Sequence, residues 1–226
     1  MRIAVLGTGM VGQAIAGRCA ELGHDVTVGT RDVTAAMGRR DRDGMGNPGF
    51  GDWSRARPGI AVASFADAAA GAELVVNATS GGASLAALGE AGADNLAAKV
   101  LIDVANPLDF SAGMPPSLSV KDTDSLAEQI QRAFPTSRVV KTLNTMNAEV
   151  MVHPELVADG HHSTFVAGDD ADAKTTVTTL LTDFGHRDVI DLGDLSAARG
   201  TEMLLPLWLR LFGVLGTPAF QFAVVR

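Results

Sequence analysis

A glycine-rich turn near the start of the chain, placed between a buried strand and a helix, constrains the fold more than any other feature. The strand is Arg2–Leu6, and its residues Ile3–Leu6 are apolar without the alternation of a half-exposed strand. The next six residues are Gly-Thr-Gly-Met-Val-Gly, and a helical pattern covers Val11–Leu22. Gly7 permits the sharp bend, Gly9 lets a pyrophosphate approach the backbone, and Gly12 allows the helix to pack closely. Since the free N–H groups of a helix start attract phosphate, the sequence predicts a dinucleotide site here.

The remaining sequence alternates between strand-like and helix-like patterns in a single domain, residues 1–226. Strands are predicted at Asp25–Val28, Ile60–Ala63, Glu73–Ala78, Val100–Val104, Arg138–Leu143, Thr164–Ala167 and Asp188–Asp191. Helices are predicted at Val33–Arg39, Phe65–Ala70, Leu85–Ala91, Leu126–Ala133, about 170–184 and about 196–215. Residues 41–59, rich in glycine and proline, are predicted to form a surface loop with one turn of helix near Trp53.

These repeated strand–helix–strand units indicate the fold class. They favour right-handed crossovers and therefore an α/β fold: a doubly wound, mostly parallel Rossmann-type sheet. Residues 1–150 are expected to form the dinucleotide-binding core. Residues 151–226 are expected to add a C-terminal strand–helix extension to the same domain.

Composition and charge argue against several kinds of partner. The 18 basic and 26 acidic residues give a formal net charge of −8, which disfavours binding to nucleic acid or to an anionic membrane surface. The apolar stretch from Met203 to Leu215 is interrupted by Pro206 and Arg210, and it is shorter than the roughly 20 residues that span a bilayer. The single cysteine, Cys19, is predicted to be a buried structural thiol. We therefore expect a cytoplasmic protein with neither a nucleic-acid nor a membrane partner.

The end of the second strand predicts which dinucleotide binds. An Asp or Glu about 20 residues after the glycine turn would hold the ribose hydroxyls of NAD. Here the strand leads into Thr30 and Arg31, whose hydroxyl and guanidinium suit a 2′-phosphate, so NADP(H) is favoured. Asp32 has two interpretations, a ribose ligand or, as we prefer, the N-cap of the next helix. Arg39 and Arg40 either add a second phosphate contact or lie in solvent at the helix end.

The ends of the later strands indicate the nicotinamide side of the crevice, because ligands of such sheets lie beyond the carboxyl ends of the strands. Small residues, Ala78, Thr79 and Ser80, follow the fourth strand and let a dinucleotide cross the sheet edge. Asn106 is fixed by the following Pro107. Its amide holds either the ribose or the nicotinamide carboxamide, or it belongs to a simple turn.

The sequence contains no convincing catalytic constellation. There is no tyrosine, and no spacing of serine, histidine and aspartate or of cysteine and histidine indicates nucleophilic or metal chemistry. His161 and His162 would point in opposite directions on an extended chain, so no metal is expected. Lys141 and Asn144, at the end of the sixth strand, are the candidates for contact with a small-molecule substrate. Hydride transfer between two rings needs little acid–base machinery, which fits this pattern.

Several of these segments together resemble a known family. The first strand with its glycine turn, the Gly-Thr-Arg of residues 29–31, the segment Val139–Thr145 and the tail from Phe165 to Arg199 are similar to the NADP oxidoreductases dependent on coenzyme F420. The cytoplasmic oxidoreductase domains of membrane metalloreductases are similar too. The resemblance covers nearly the whole chain and implies hydride transfer between NADPH and a deazaflavin (coenzyme F420) or a flavin. By motif match it implies cofactor contacts at Thr8, Gly9, Met10, Val11, Thr30, Arg31, Ala78 and Asn106.

Two other classes of function stay open. One is an NADPH-dependent reductase of a small carbonyl or imine, which would need a proton donor near the nicotinamide. The other is a non-catalytic NADP-binding module that senses redox state.

The last apolar stretch predicts an assembly. Arg210 is the only charged residue from Met203 to Val225, so a helix here has hardly any polar face and must be buried on most sides. A symmetric second copy is the expected cover, which predicts a homodimer through the C-terminal helix. The alternative is burial beneath the chain's own tail, Phe220–Val225.

Overall fold

The structure, a computed structural model, describes residues 1–42 and 46–226, so residues 43–45 of the predicted loop lie outside the described part. The helices are α1 (Met10–Glu21), α2 (Val33–Gly38), α3 (Phe50–Arg55), α4 (Phe65–Gly71), α5 (Gly81–Ala91), α6 (Ala93–Leu96), α7 (Leu126–Ala133), α8 (Ala148–Val152), α9 (Ala171–Phe184), α10 (Ala198–Met203) and α11 (Leu205–Leu215). The strands are β1 (Arg2–Leu6), β2 (Asp25–Thr30), β3 (Ala61–Ser64), β4 (Leu74–Asn77), β5 (Val100–Asp103), β6 (Leu108–Asp109), β7 (Ser117–Leu118), β8 (Arg138–Thr142), β9 (Ser163–Ala167) and β10 (Asp188–Asp191). Short 3-10 turns occupy Pro154–Leu156, Ala158–Gly160 and Leu195–Ala197.

One eight-stranded sheet, ordered β3-β2-β1-β4-β5-β8-β9-β10, forms the centre of the molecule. The strands from β3 to β8 in this order are parallel, whereas β9 runs antiparallel to β8, with Thr142 opposite Val166. β10 pairs parallel to β9, and β6 with β7 forms a separate short ribbon that the sequence did not predict. The predicted fold class is confirmed. The order reverses between β1 and β4, and this switch point opens a crevice beyond the carboxyl ends of the strands.

The apolar runs of the central strands are explained by burial on both faces of the sheet. In β1, Ile3 and Val5 pack into one apolar layer, while Ala4 and Leu6 pack into the other. Successive side chains of a strand point to opposite faces, so a strand covered by helices on both sides is apolar throughout.

The C-terminal helix is interrupted, whereas the sequence predicted one helix from about 196 to 215. α10 ends at Met203 and α11 begins at Leu205, with Pro206 in its first turn. Proline is tolerated in a first turn because the N–H groups there have no partner inside the helix. The break therefore follows from Pro206.

The cover of α11 within this chain is incomplete. Trp208 stacks on Phe220 of the tail, with ring centroids 5.0 Å apart, so the tail shields one side. On other sides Leu207, Val214 and Leu215 are 50%, 83% and 53% exposed. The expected burial on most sides is not met within one chain, and the homodimer stays a prediction. Across the described residues, no helix combines the length and apolar character required to cross a membrane.

Candidate functional site

The glycine turn between β1 and α1 has the geometry of a phosphate cradle. Gly7 has φ +126°, and a Cβ atom added to it would overlap the carbonyl oxygen of Ala78. A Cβ atom on Gly12 would overlap the carbonyl oxygen of Gly7, whereas one on Gly9 would meet nothing within 4 Å. Gly7 and Gly12 therefore shape the turn, and Gly9 leaves open space above it. Because no side chain caps α1, which begins at Met10, its first N–H groups are available to a pyrophosphate.

The carboxyl end of β2 supplies the groups expected to select NADP(H). β2 extends to Thr30, which is buried, while Arg31 is exposed. The Asp32 carboxylate accepts the N–H of Ala35 at 2.9 Å and caps α2, which confirms the preferred interpretation of Asp32. Arg31 borders a cavity of about 450 Å³ whose other lining residues include Gly7, Thr8, Gly9, Ala78, Thr79 and Ser80.

A second cavity, of about 320 Å³, lies beyond the ends of β4, β5 and β8, where the nicotinamide side was expected. Asn106 and Asn144 form one wall through paired amide contacts. The Asn106 Nδ2 donates to the carbonyl oxygen of Asn144 at 2.8 Å, and the Asn144 Nδ2 donates to Asn106 Oδ1 at 2.9 Å. The remaining lining is Val11, Ala78, Thr79, Ser80, Gly81, Gly82, Val104, Ala105, Leu108, Phe110, Met146, Met151, Leu205 and Trp208.

Sequence reasoning missed two walls of this cavity. α5 begins at Gly81, four residues earlier than predicted. Glycine there lets the helix start lie against the backbone of Asn106, which a Cβ atom would overlap. Leu205 and Trp208 of α11 form the opposite wall, and the Trp208 indole N–H has no hydrogen-bond partner within the described part of the chain. The apolar run of α11 carried the signal, but it was interpreted only as an assembly surface.

Lys141 does not lie in the crevice, which corrects the expectation that it contacts substrate. Its side chain is 1% exposed, and its Nζ lies 2.8 Å from the carboxylates of both Asp103 and Glu202. It also donates to the carbonyl oxygen of Ala105. Burial alone would lower the pKa of Lys141, but the two carboxylates outweigh that effect and raise it above its ordinary value. Lys141 is therefore the centre of a buried ion cluster beneath the cavity.

Glu202 connects this ion cluster to α7 and to the C-terminal helices. Its carboxylate accepts the N–H groups of Leu126 and Ala127 at 2.9 and 3.2 Å, at the start of α7. Burial raises the pKa of Glu202, and Lys141 with the N–H of Leu126 offsets part of that effect. Glu202 lies in α10, just before α11. The ion cluster therefore connects the sheet to the cavity wall that contains Leu205.

On its other side the ion cluster reaches the wall of the cavity through Asn77. The Asn77 Nδ2 donates to Asp103 Oδ1 at 2.8 Å and to Ser84 Oγ at 3.0 Å. The Thr79 hydroxyl donates to Asn77 Oδ1 at 2.7 Å, and Thr79 lines the cavity. This network of hydrogen bonds fixes the end of β4. No local pattern in the sequence predicted the network.

Cys19, His161 and His162 are not among the lining residues of these two cavities. Cys19 is buried, and burial raises its pKa to about 12, so its thiol is not a nucleophile. His162 is buried and His161 is exposed, in agreement with the predicted opposite directions. Among residues 1–42 and 46–226, no group of three or more His, Cys, Asp or Glu side chains is arranged to hold a metal ion.

An uncapped helix start behind a glycine turn, at the switch point of a parallel sheet, defines a dinucleotide-binding protein of the Rossmann class. The family described as "NADP oxidoreductase coenzyme F420-dependent" matches residues 2–107. A crystal structure from Arthrobacter sp. FB24, provisionally named an F420-dependent NADP reductase, is 60% identical, with a TM-score of 0.95 and full coverage of both chains. The chain belongs to this family, and it is an NADP-dependent oxidoreductase.

More distant structures share the fold alone. A reductive aminase from Aspergillus terreus in complex with NADPH and ethyl-5-oxohexanoate is 17% identical, with a TM-score of 0.65, over 95% of this chain and 62% of that chain. An imine reductase from Streptomyces aurantiacus is 18% identical, with a TM-score of 0.60, over 96% and 68% of the two chains. Among curated proteins, no significant sequence match is found.

Proposed function

We propose that this protein transfers a hydride between NADPH and a planar deazaflavin, coenzyme F420, or a flavin. The observation that carries the proposal is the chemistry of the nicotinamide-side cavity. Among its lining residues in the described part of the chain, none has an acidic or basic side chain. The walls are apolar apart from hydroxyl and amide groups, which suits two stacked rings that exclude water.

The reaction needs no proton donor at the atom that receives the hydride. The hydride leaves C4 of the NADPH nicotinamide and reaches the central ring of the deazaflavin, while a proton from water adds to a ring nitrogen away from that carbon. Reduction of a ketone or an imine differs, because the oxygen or nitrogen beside the accepting carbon must gain a proton. A cavity without an acid at its wall therefore favours the ring acceptor.

Each part of the dinucleotide has a proposed partner. The pyrophosphate binds above Gly9 at the start of α1, and the 2′-phosphate binds Thr30 and Arg31. We expect the Asn106 amide, oriented by Asn144, to hold the ribose or the carboxamide. Trp208 lines the same cavity, so we expect it to lie beside the acceptor ring.

A comparison of acceptors tests the proposal. The purified protein is mixed with NADPH and, separately, with coenzyme F420, FMN, FAD, and panels of ketones and imines, and NADPH consumption is followed by absorbance. We expect turnover with coenzyme F420 or a flavin and none with the panels. Turnover only with a ketone or imine would reject the proposal, and NADPH binding without any turnover would indicate a binding module.

We also propose that α11 pairs with a second copy of this chain. Leu207, Val214 and Leu215 leave an apolar surface beside the cavity wall that the chain's own tail does not cover. Light scattering is expected to give twice the mass of one chain. Val214→Lys should shift the mass to one chain, while Val225→Lys, in the exposed tail, should not. A parent protein that is monomeric at micromolar concentration would contradict this assembly.

A further inference from the structure

We propose that Arg39 is a second ligand of the 2′-phosphate of NADPH, together with Arg31, and so determines cofactor specificity. The inference rests on the proposed placement of NADPH in the crevice. By sequence, Arg39 and Arg40 were equivalent candidates for such a contact. In the structure they differ, because Arg40 pairs with Asp52 at 3.2 Å whereas Arg39 turns toward the glycine turn.

The Arg39 side chain is held beside the turn by two contacts. Its guanidinium donates a hydrogen bond to the hydroxyl of Thr8. Its Cζ atom also lies 5.8 Å from the ring centroid of Phe50, a cation–π arrangement. Phe50 is only 1% exposed and stacks on Trp53, with centroids 5.6 Å apart. A packed ring therefore supports a guanidinium that is otherwise in solvent.

The backbone of Arg39 is fixed as well. The Gly51 N–H donates to the carbonyl oxygen of Arg39 at 2.9 Å. Cβ atoms added to Gly49 and Gly51 would lie 2.7 and 2.9 Å from that same oxygen, closer than real Cβ atoms come. Glycine at both positions lets α3 approach this closely. The start of α3, the helical turn that the sequence predicted near Trp53, thus positions Arg39. This gives a role to part of the predicted loop.

The charge of Arg39 is not neutralised by any acidic side chain of residues 1–42 or 46–226. Within residues 1–42 and 46–226, neither Arg31 nor Arg39 forms an ion pair, whereas Asp52 pairs with both Arg40 and Arg55. Asp41 borders the same cavity as Arg39 without pairing with it. In a chain with a net charge of −8, two unpaired guanidinium groups on either side of one turn indicate a site for an anion.

The position of the two arginines indicates which phosphate they bind. Arg39 borders a cavity of about 320 Å³ that shares Thr8 and Gly9 with the cavity at Arg31. The adenosine ribose is expected at the end of β2, where Arg31 lies, with its 5′ side toward the pyrophosphate at Gly9. Its 2′ side then faces the region between Arg31 and Arg39. A phosphate there would accept bonds from both guanidinium groups and from the Thr8 hydroxyl.

Binding measurements on the parent and its arginine variants test this inference without any hydride acceptor. NADPH, NADH, adenosine 2′,5′-bisphosphate and ADP are titrated by calorimetry into the parent, Arg39→Ala and Arg40→Ala. For Arg39→Ala we expect Kd to rise about tenfold for the two ligands that carry a 2′-phosphate, and less than twofold for the other two. Arg40→Ala, the matched control, should change none of the four by more than about twofold. Arg39→Lys should keep part of the preference, because it retains the charge but not the planar fork.

The outcomes separate this inference from the proposed function. An equal loss of NADPH and NADH affinity in Arg39→Ala would place Arg39 on the pyrophosphate and overturn the inference. Unchanged Kd values for all four ligands would overturn it too, since Arg39 would then be only a solvated side chain. If the parent binds NADPH no better than NADH, the assignment of the 2′-phosphate site as a whole fails. The acceptor assay decides the hydride partner independently of these titrations.

Discussion

The two sides of the crevice differ in the position of their charged groups. On the phosphate side Arg31 and Arg39 are exposed, unpaired within the described residues, and placed around a turn that offers backbone N–H groups. On the nicotinamide side the cavity wall carries no charge, and the nearest ions, Lys141 with its two carboxylates, lie fully buried one layer beneath it. One side exposes its charge where we propose that the phosphates bind, and the other uses charge to fix its own walls.

This difference teaches that an ionisable residue near a crevice can have either of two roles, and that burial with its partners decides between them. An exposed guanidinium interacts with a ligand and is screened by salt. A buried ammonium between two carboxylates has no solvent to replace its partners, so each member depends on the others.

The largest effect should follow from removal of the central cation of the buried cluster. Lys141→Ala leaves Asp103 and Glu202 facing each other without solvent, and loss of one partner from a buried ion pair costs about 3–5 kcal/mol. Urea denaturation should show a fall of that size in the free energy of unfolding. In the control, Lys141→Met with Asp103→Asn and Glu202→Gln, most of the loss should be recovered because no unpaired charge remains. A loss below about 1 kcal/mol in the single variant would show that the cluster is not a structural support.

Acid should also destabilise the protein through a buried histidine, His186. Burial lowers the pKa of His186 to about 4, while Met151, whose carbonyl oxygen lies 2.9 Å from Nε2, opposes part of the shift. In the unfolded chain the pKa is about 6.5, so as pH falls from 6.5 toward 4 the unfolded state takes up a proton that the folded state does not. The free energy of unfolding should therefore fall by about 3 kcal/mol over this range.

The contribution of His186 is isolated by comparison with His186→Gln. The variant should be less stable at pH 7 but should have a shallower loss of stability between pH 6.5 and 4. Equal slopes for the two proteins would mean that other groups cause the acid sensitivity.

On the phosphate side, Gly9→Val should separate binding from folding. A Cβ atom added at Gly9 meets no protein atom within 4 Å, so the thermal unfolding temperature should stay near that of the parent. The side chain enters the space of the pyrophosphate, and we expect NADPH affinity to fall by about 100-fold or more, roughly 2.7 kcal/mol. Gly12→Val, which overlaps the backbone of Gly7, should instead destabilise the fold. Normal NADPH binding by Gly9→Val would place the phosphates elsewhere.

A smaller and more selective effect is expected for Arg31→Ala. A hydrogen bond to a charged group contributes about 1.5–3 kcal/mol, so the preference for NADPH over NADH should fall by roughly 10- to 150-fold. Raising the salt concentration should weaken NADPH binding less in the variant than in the parent, because an exposed charge contact has been removed. A variant that keeps the full preference would leave Arg31 without a role in cofactor choice.

The phosphate side was predictable from sequence because its determinants are local. The strand, the glycine turn and the helix are contiguous, and Asp32 caps α2 through a residue three positions away. The nicotinamide side was predictable only as a set of strand ends. Trp208 reaches it through the tertiary fold, and Lys141 appears functional until its partners, Asp103 and Glu202, are brought to it from distant parts of the chain. A buried contact between residues that are far apart in the chain produces no periodic pattern in the sequence.

The contacts of Gly7 and Gly12 have a consequence for the encounter with the cofactor. Both glycines are held by backbone atoms of the same chain, Gly7 against Ala78 and Gly12 against Gly7 itself, so the cradle has its shape before any ligand arrives. Binding to a preorganised turn avoids the entropy of ordering a loop, and the association rate is not slowed by a conformational step. NADPH and NADH should therefore associate at similar rates, and the selectivity for the 2′-phosphate should be expressed mainly in how long each dinucleotide stays bound.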